Sequence, residues 1–276
     1  MSSNFKTWIG KSVTRQDIVT QRIVDEYRAT LAPYLFKPSL SDECPPGLHW
    51  CLALPAHETE NLGPDGAEAK GLFLPPIPLP RRMWAGGQVE TLCPLRVNDR
   101  IQRISTVSDV KMREGKGGSL CFVSVTHEIS ANGALALRER HDILFREPSR
   151  KPLSQTAADP APQADLEWQV KATPLLLFRF SAITFNGHRI HYDLPYATET
   201  EGYEGLLVHG PMQAALTLNQ LSAVNGKVPK GFDYRCVAPL IAGQTFRVWA
   251  RRDGTGGAAG ILNSAGVMTI EARGHE

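Results

Sequence analysis

A chain of 276 residues, 42% apolar and 21% charged, has the material for one large domain or two ordinary ones, and its composition excludes a disordered or fibrous protein. The net charge of +2 arises from 30 basic and 28 acidic residues with no long basic run, which gives no support to nucleic-acid binding. No apolar stretch reaches the ~18 residues of a membrane span, and the opening MSSNFKTWIGKS lacks the apolar run of a signal peptide. The expectation is a soluble, cytoplasmic protein with neither a membrane nor a nucleic-acid partner. Its five cysteines (Cys44, Cys51, Cys93, Cys121, Cys236) are scattered without CxxC spacing, and three of them (Cys93, Cys121, Cys236) fall in strand-like runs where a free thiol packs as a small hydrophobe. No His or Cys pair has zinc-module spacing, so no metal is expected.

In chain order, Asp17–Leu35 reads as a helix, and Leu52–Pro80 as an irregular surface segment ending in FLPPIPLP, of a length that is often functional. Next come GGQVETLCPL (Gly86–Leu95), a strand over Arg100–Lys111, a turn at Glu114–Gly118 and a strand-like run from Leu120. Pro148–Glu167, rich in Pro, Ala and Ser, reads as a linker. Beyond it lies an apolar strand near Phe178, then a helix over Pro211–Val224 with Pro in its first turn. GFDYRCVAPL (Gly231–Leu240) then repeats the earlier motif at one constant offset, from the leading Gly to the closing Pro-Leu. A strand over Thr245–Arg251, a turn at Gly254–Gly260 and a strand from Gly266 follow in the order of the first half. One helix beside a curved antiparallel sheet, occurring twice, describes an α+β double hotdog. The expected division is a degenerate N-terminal unit over 1–147, a linker over 148–167 and a C-terminal unit over 168–276.

The densest chemistry lies in FRFSAITFNGHRIHYDLPYA (Phe178–Ala197) and in GYEGLLVHGPMQ (Gly202–Gln213). These stretches resemble the MaoC-like enoyl-thioester hydratases and dehydratases, whose signature runs Ser-Gly-Asp-x-Asn-Pro-x-His-x-Asp and later His-Gly at the start of a helix. WIGKS near Trp8, LPRRMWAGG (Leu79–Gly87), PLRVND (Pro94–Asp99) and ALRERHDILFREP (Ala136–Pro148) resemble the degenerate first half of one branch. That branch holds the type 2 hydroxyacyl-thioester dehydratases and the mesaconyl-C4-CoA and itaconyl-CoA hydratases. The resemblance puts the catalytic His at His191 and matches Asp193 and His209-Gly210. It departs at Asn186, where most of the family has a catalytic Asp, at His188, which replaces Asn, and at Arg189, which replaces Pro. No metal or organic cofactor is implied, because CoA arrives with the substrate, and fold analogy implies a homodimer.

Hydrating an enoyl thioester needs a group to move a proton and a donor to hold the thioester oxygen as charge develops on it. His191 suits the first, since an ordinary imidazole titrates at about 6.5. The helix start at Gly210 suits the second. Asn186 has no useful basicity but can orient a water. Arg189 either enters the pocket, where it would grip a second substrate carboxylate, or pairs with Asp193 or a neighbouring loop. His209 counts with the substrate-binding residues, and Arg82 is singled out among the basic candidates for CoA phosphates. His127 and His141 read as surface or core residues, and Trp84 as a wall of the acyl tunnel or as core.

The leading expectation is reversible hydration of a short dicarboxylic enoyl-CoA, itaconyl-CoA or mesaconyl-C4-CoA, to citramalyl-CoA. The rivals are dehydration of 3-hydroxyacyl thioesters of fatty-acid type, thioester hydrolysis, and non-catalytic acyl-CoA binding.

Overall fold

The computed structural model describes residues 5–38, 40–115, 118–147 and 162–276. Its elements in chain order are β1 (Ser12–Ile18), α1 (Gln21–Leu31), β2 (Arg81–Thr91), β3 (Arg100–Gly115), β4 (Gly118–Ala131), β5 (Ala134–Arg146), β6 (Leu166–Lys171), α2 (Pro174–Ile183), α3 (Gly210–Asn225), β7 (Gly231–Cys236), β8 (Thr245–Arg251), β9 (Ala258–Leu262) and β10 (Met268–His275). All ten strands join one antiparallel sheet in the order β1-β3-β4-β5-β2-β7-β10-β9-β8-β6. Counted outward from the β2/β7 seam, each side has the same connectivity, as a double hotdog requires. The two copies of the repeated motif form that seam and pair with each other, Gly87 opposite Tyr234 and Val89 opposite Phe232. Glycine is needed where the backbones close up: a Cβ on Gly86 would lie 2.5 Å from the Tyr234 carbonyl oxygen, and one on Gly87 would lie 2.4 Å from that of Arg140.

The C-terminal sheet wraps α3, which is apolar on every side and buried almost throughout. Several of its polar side chains bond to backbone carbonyls: Asn219 Nδ2 donates to the Pro46 carbonyl at 2.9 Å, and Gln220 Nε2 to that of Val248 at 2.9 Å. Gly226, at φ +72°, ends the helix in the left-handed conformation that favours glycine.

Three expectations about elements change. Asp17 and Ile18 belong to β1, and the helix begins only after Thr20, whose Oγ accepts from the Ile23 amide; Pro33 prevents its continuation to Leu35. In chain order α1 matches α2, against which it packs, and the counterpart of α3 in the first half is a single 3-10 turn, Leu48–Cys51. The apolar run near Phe178 is likewise a helix, α2, because Thr173 caps it and Pro174 occupies its first turn. Lastly, the segment over 52–80 is irregular but does not simply ride on the surface. Leu74, Ile77 and Leu79 are buried against Val107, Val123, Val125 and Phe145 of the first sheet.

Composition assigned Leu166 and Glu167 to the linker, yet they open β6; linker residues 148–161 lie outside the described residues. Cys93 falls beyond the end of β2, whereas Cys121 and Cys236 lie in strands. None of the helices is long and apolar enough to cross a membrane, among the described residues.

Candidate active site

Between α2 and α3 the chain runs along the wall of a cavity of about 970 Å³. One 3-10 turn in place of a long helix leaves this space open in the first half. The walls are β2 to β5, the segment over 53–74, the loop after α2 and the first turn of α3.

Helix α2 ends at Thr184, and Phe185 takes a positive φ of 47°, a conformation costing a non-glycine residue about 1 kcal/mol. This sharp exit brings Asn186 to the cavity wall. The Asn186 amide N–H donates to the Ser181 carbonyl at 2.8 Å, and its side-chain oxygen accepts from the His188 amide at 2.9 Å. Only the carboxamide oxygen can accept from a backbone N–H, so the Asn186 NH₂ is the group left to donate.

His191 follows in a one-turn 3-10 helix, Arg189–His191, and is buried. Its Nδ1 lies 2.8 Å from the Leu207 carbonyl oxygen. A carbonyl can only accept, so Nδ1 carries the proton and Nε2 offers a lone pair. Burial, with His188 nearby, pushes the His191 pKa down to about 3, against the smaller upward pull of the Leu207 bond. Beneath it the His209 ring stacks at 3.6 Å between centroids, with Nε2 2.8 Å from Ser181 Oγ. His188 meets the His191 ring edge-on at 5.6 Å, and burial brings its own pKa down to about 4. All three imidazoles are neutral near pH 7.

Gly210 opens the sixteen-residue α3, and its N–H has no intrahelical acceptor. Pro211 removes the next donor. The indole of Trp84 closes on this position so tightly that a Cβ on Gly210 would lie 2.9 Å from Trp84 Cβ. Asn186, His191 and Gly210 thus line one cavity, with a donor, a lone pair and a helix N-terminus together.

The expected substrate contacts fare differently. Arg189 takes the second of its two readings: Nε and Nη2 both donate to Asp193 Oδ2, at 2.9 and 2.7 Å, Nη1 donates to the Pro64 carbonyl at 3.0 Å, and the guanidinium lies over the Tyr196 ring. Arg82 does line the cavity, but it is held by Asp65 through two hydrogen bonds of 2.6 and 2.9 Å and by the Glu68 carbonyl at 2.7 Å. Arg82 thus fastens the turn at 64–66 to β2, and Arg189 fastens it to the loop carrying Asn186 and His191, since Arg189 N donates to the Asp65 carbonyl and Gly66 packs directly on Gly187. His209, expected among the substrate contacts, is instead fully buried beneath the His191 ring, outside the cavity wall, where packing leaves it no open face.

Reading residues singly missed the polar wall in the first half. Arg103, Ser105, His127 and His141 all line the cavity, and His141 stacks on Trp84 at 3.5 Å. Alternation along β3, β4 and β5 puts them on one face, but only the register brings them together. Among the described residues no group of three or more His, Cys, Asp or Glu is placed to hold a metal ion.

The model of the family described as hydroxyacyl-thioester dehydratase type 2 matches residues 47–242. The chain belongs to that family. It is 37% identical over 254 residues to the mesaconyl-C(4)-CoA hydratase of Chloroflexus aurantiacus, covering 92% of this chain and 91% of that protein. To the mitochondrial hydroxyacyl-thioester dehydratase type 2 of Schizosaccharomyces pombe it is 24% identical over 270 residues, covering 86% of this chain and 89% of that one. Among solved structures, HtdX of Mycobacterium tuberculosis superposes with a TM-score of 0.68 at 18% identity, covering 95% of this chain and 98% of that one. A second protein of that organism, described as having a double hotdog fold, gives 0.54 at 14% identity, covering 96% and 95%. These two likenesses concern the fold. As a member of this family of hydratases and dehydratases, the chain is a hydro-lyase.

Proposed function

We propose that this hydro-lyase reversibly hydrates a short dicarboxylic enoyl-CoA, mesaconyl-C4-CoA or itaconyl-CoA, to citramalyl-CoA. The observation that carries the reading is the neutral His191, its Nδ1 tied to Leu207 and its Nε2 free to accept, in one cavity wall with Asn186 and Gly210. The 37% identity to a mesaconyl-C(4)-CoA hydratase supports the substrate class.

In this mechanism, which applies to the α,β double bond of mesaconyl-C4-CoA, the Asn186 NH₂ orients a water against the β carbon while the Gly210 N–H and the positive end of α3 hold the thioester oxygen. As the water oxygen bonds to the β carbon, His191 Nε2 takes one of its protons and the π electrons move toward the thioester oxygen. The enolate collapses by taking that proton from His191 at the α carbon, which restores the neutral imidazole. The net change is one water added. An imidazolium with so low a pKa holds the proton only briefly, which suits transfer within one encounter.

The test is to offer purified protein mesaconyl-C4-CoA, itaconyl-CoA and crotonyl-CoA in parallel, following loss of the unsaturated thioester and the product masses. Gain of one water by the dicarboxylic thioesters in preference to crotonyl-CoA is the expected result. Preference for crotonyl-CoA would instead favour the fatty-acyl dehydratase reading, for which the likeness to the yeast dehydratase speaks. Release of free CoA would indicate a thioesterase, and binding without turnover an acyl-CoA-binding module.

A further inference from the structure

With Arg189 and Arg82 both committed to Asp193 and Asp65, the carboxylate of a dicarboxylic acyl group needs another partner. Two cations of the first half line the same cavity, Arg15 on β1 and Arg103 on β3. They are direct cross-strand partners, so both side chains leave the sheet on one face. Like charges placed directly opposite are unfavourable unless an anion lies between or beside them.

The groups already facing them offset only part of this charge, because among the described residues one carboxylate, Glu139, is paired with Arg103 and none is paired with Arg15. Glu139, fully buried on β5, accepts from Trp50 Nε1 through Oε1 at 2.8 Å, and its Oε2 forms a long ion pair with Arg103 Nη2 at 3.8 Å, which leaves the two arginines with one positive charge in excess. His49 Nε2 lies 3.9 Å from that same oxygen, but burial brings His49 down to about 3, and His127 and His141 are also held neutral. Arg103 Nε donates to His127 Nδ1 at 3.3 Å, a contact that brings no negative charge. Asp17, on the face of Arg15, accepts from the amides of Ile18 and Ala53. Glu68 accepts from the Phe73 amide and sits 3.3 Å from His57 Nε2. Among the described residues Arg15 makes no hydrogen bond or salt bridge, and Arg103 Nη2 makes no hydrogen bond. Of the other cations on the cavity wall, Arg82 is neutralised by Asp65, and Arg146 lies at the exposed far end of β5, bonded to the Glu147 carbonyl.

A chain of ring contacts links the cation pair to the reacting centre. Trp84 abuts Gly210, His141 stacks on Trp84 at 3.5 Å, His127 lies 6.4 Å from His141 ring to ring, and His127 bonds Arg103. The cavity wall is thus continuous from Gly210 to the two guanidinium groups.

We propose that Arg15 and Arg103 together hold the distal carboxylate of the acyl group, so that the first half, which lacks the reacting residues, selects dicarboxylic over plain enoyl thioesters. The assignment rests on the dicarboxylic reading above and adds the residues that enforce it. A carboxylate bridging two guanidinium groups can take charge-assisted bonds from both.

The experiment measures kcat and KM of wild type, Arg15→Gln, Arg103→Lys and the double variant Arg103→Met/Glu139→Gln with mesaconyl-C4-CoA and with crotonyl-CoA. The double variant removes the buried pair together and leaves no uncompensated charge. Arg15, half-buried on the edge strand, can change without disturbing the core. For each variant that retains the wild-type thermal midpoint, kcat/KM for mesaconyl-C4-CoA should fall at least tenfold, mainly through KM, while the value for crotonyl-CoA stays within about twofold. Equal losses on both substrates would mean that the arginines hold CoA phosphates or only shape the wall, and would overturn the assignment, as would variants with undiminished mesaconyl-C4-CoA turnover. Failure of the wild type itself to hydrate dicarboxylic thioesters would instead remove the substrate reading, and the assignment with it.

Discussion

At the residue scale, the proposed mechanism divides the work between His191 and Asn186, and each predicts a different loss. His191→Ala removes the group proposed to carry the proton and should lower kcat by 10³-fold or more, whereas Asn186→Ala removes the proposed water-orienting donor and should leave about a tenth to a hundredth of the rate. Similar kcat values for the two variants would contradict this division. The pH profile reads the same site. Because His191 acts from its neutral form and burial brings its pKa down to about 3, kcat/KM should stay level from about pH 8 to pH 5, where an ordinary imidazole would already have been protonated at about 6.5. Asn186→Asp keeps an oxygen for the His188 amide but adds a charge that favours protonated His188 and His191. Its profile should therefore gain an acid limb that rises into the measured range, and an unchanged profile would show that Asn186 does not face the histidines electrostatically.

At the element scale, the segment over 52–80 is part of the site because one turn of it locks onto the catalytic loop. Gly66 has φ +80°, and a Cβ there would come within 2.1 Å of the Gly187 carbonyl oxygen. Gly66→Ala should therefore push the segment off the loop carrying Asn186 and His191. The expected result is at least a tenfold fall in kcat/KM with a shift in thermal midpoint of only a few degrees, since the turn lies outside the main core. A variant with normal kinetics would mean that the segment covers the cavity without shaping it. This clamp also accounts for Arg189 and Arg82. In sequence both look like substrate ligands, Arg189 beside the candidate His191 and Arg82 after the Pro-rich run, because neither position reveals that a carbonyl or carboxylate from a distant turn already occupies the side chain.

At the scale of the whole molecule, four buried histidines (49, 127, 191 and 209) and two half-buried ones (141 and 188) have lowered pKa values in the folded chain. The unfolded chain binds these protons at about pH 6.5, so the stabilising difference is fully present above that value. It is lost as pH falls toward the folded values, by up to ~1.4 kcal/mol per pH unit for each histidine. The urea midpoint should therefore drop steeply between about pH 7 and pH 5, well above the range of ordinary carboxylate titration, and an even midpoint across that interval would contradict the burial of these rings. The duplication itself is a whole-molecule property: two matching motifs pair across the seam, and the unequal helices opposite them leave the cavity on one side only.

Much of this was legible in the chain. The repeat at Gly86 and Gly231 and the α3 run after His209 announced a doubled sheet, because local periodicity and turn glycines are carried by neighbouring residues, and the resemblance of the stretch Asn186-x-His188-x-x-His191 to a family signature supplied the candidate reacting residues, which the fold brings to one cavity wall. What sequence could not decide depended on residues far apart along the chain. The split of 17–35 into β1 and α1 depended on pairing with β3, and the tautomer of His191 on the Leu207 carbonyl. The neutralisation of Arg82 and Arg189 awaited the turn at 64–66, and the facing of Arg15 and Arg103 awaited the β1–β3 register. Charge partners and desolvation are set by what packs alongside, and only the tertiary structure determines that.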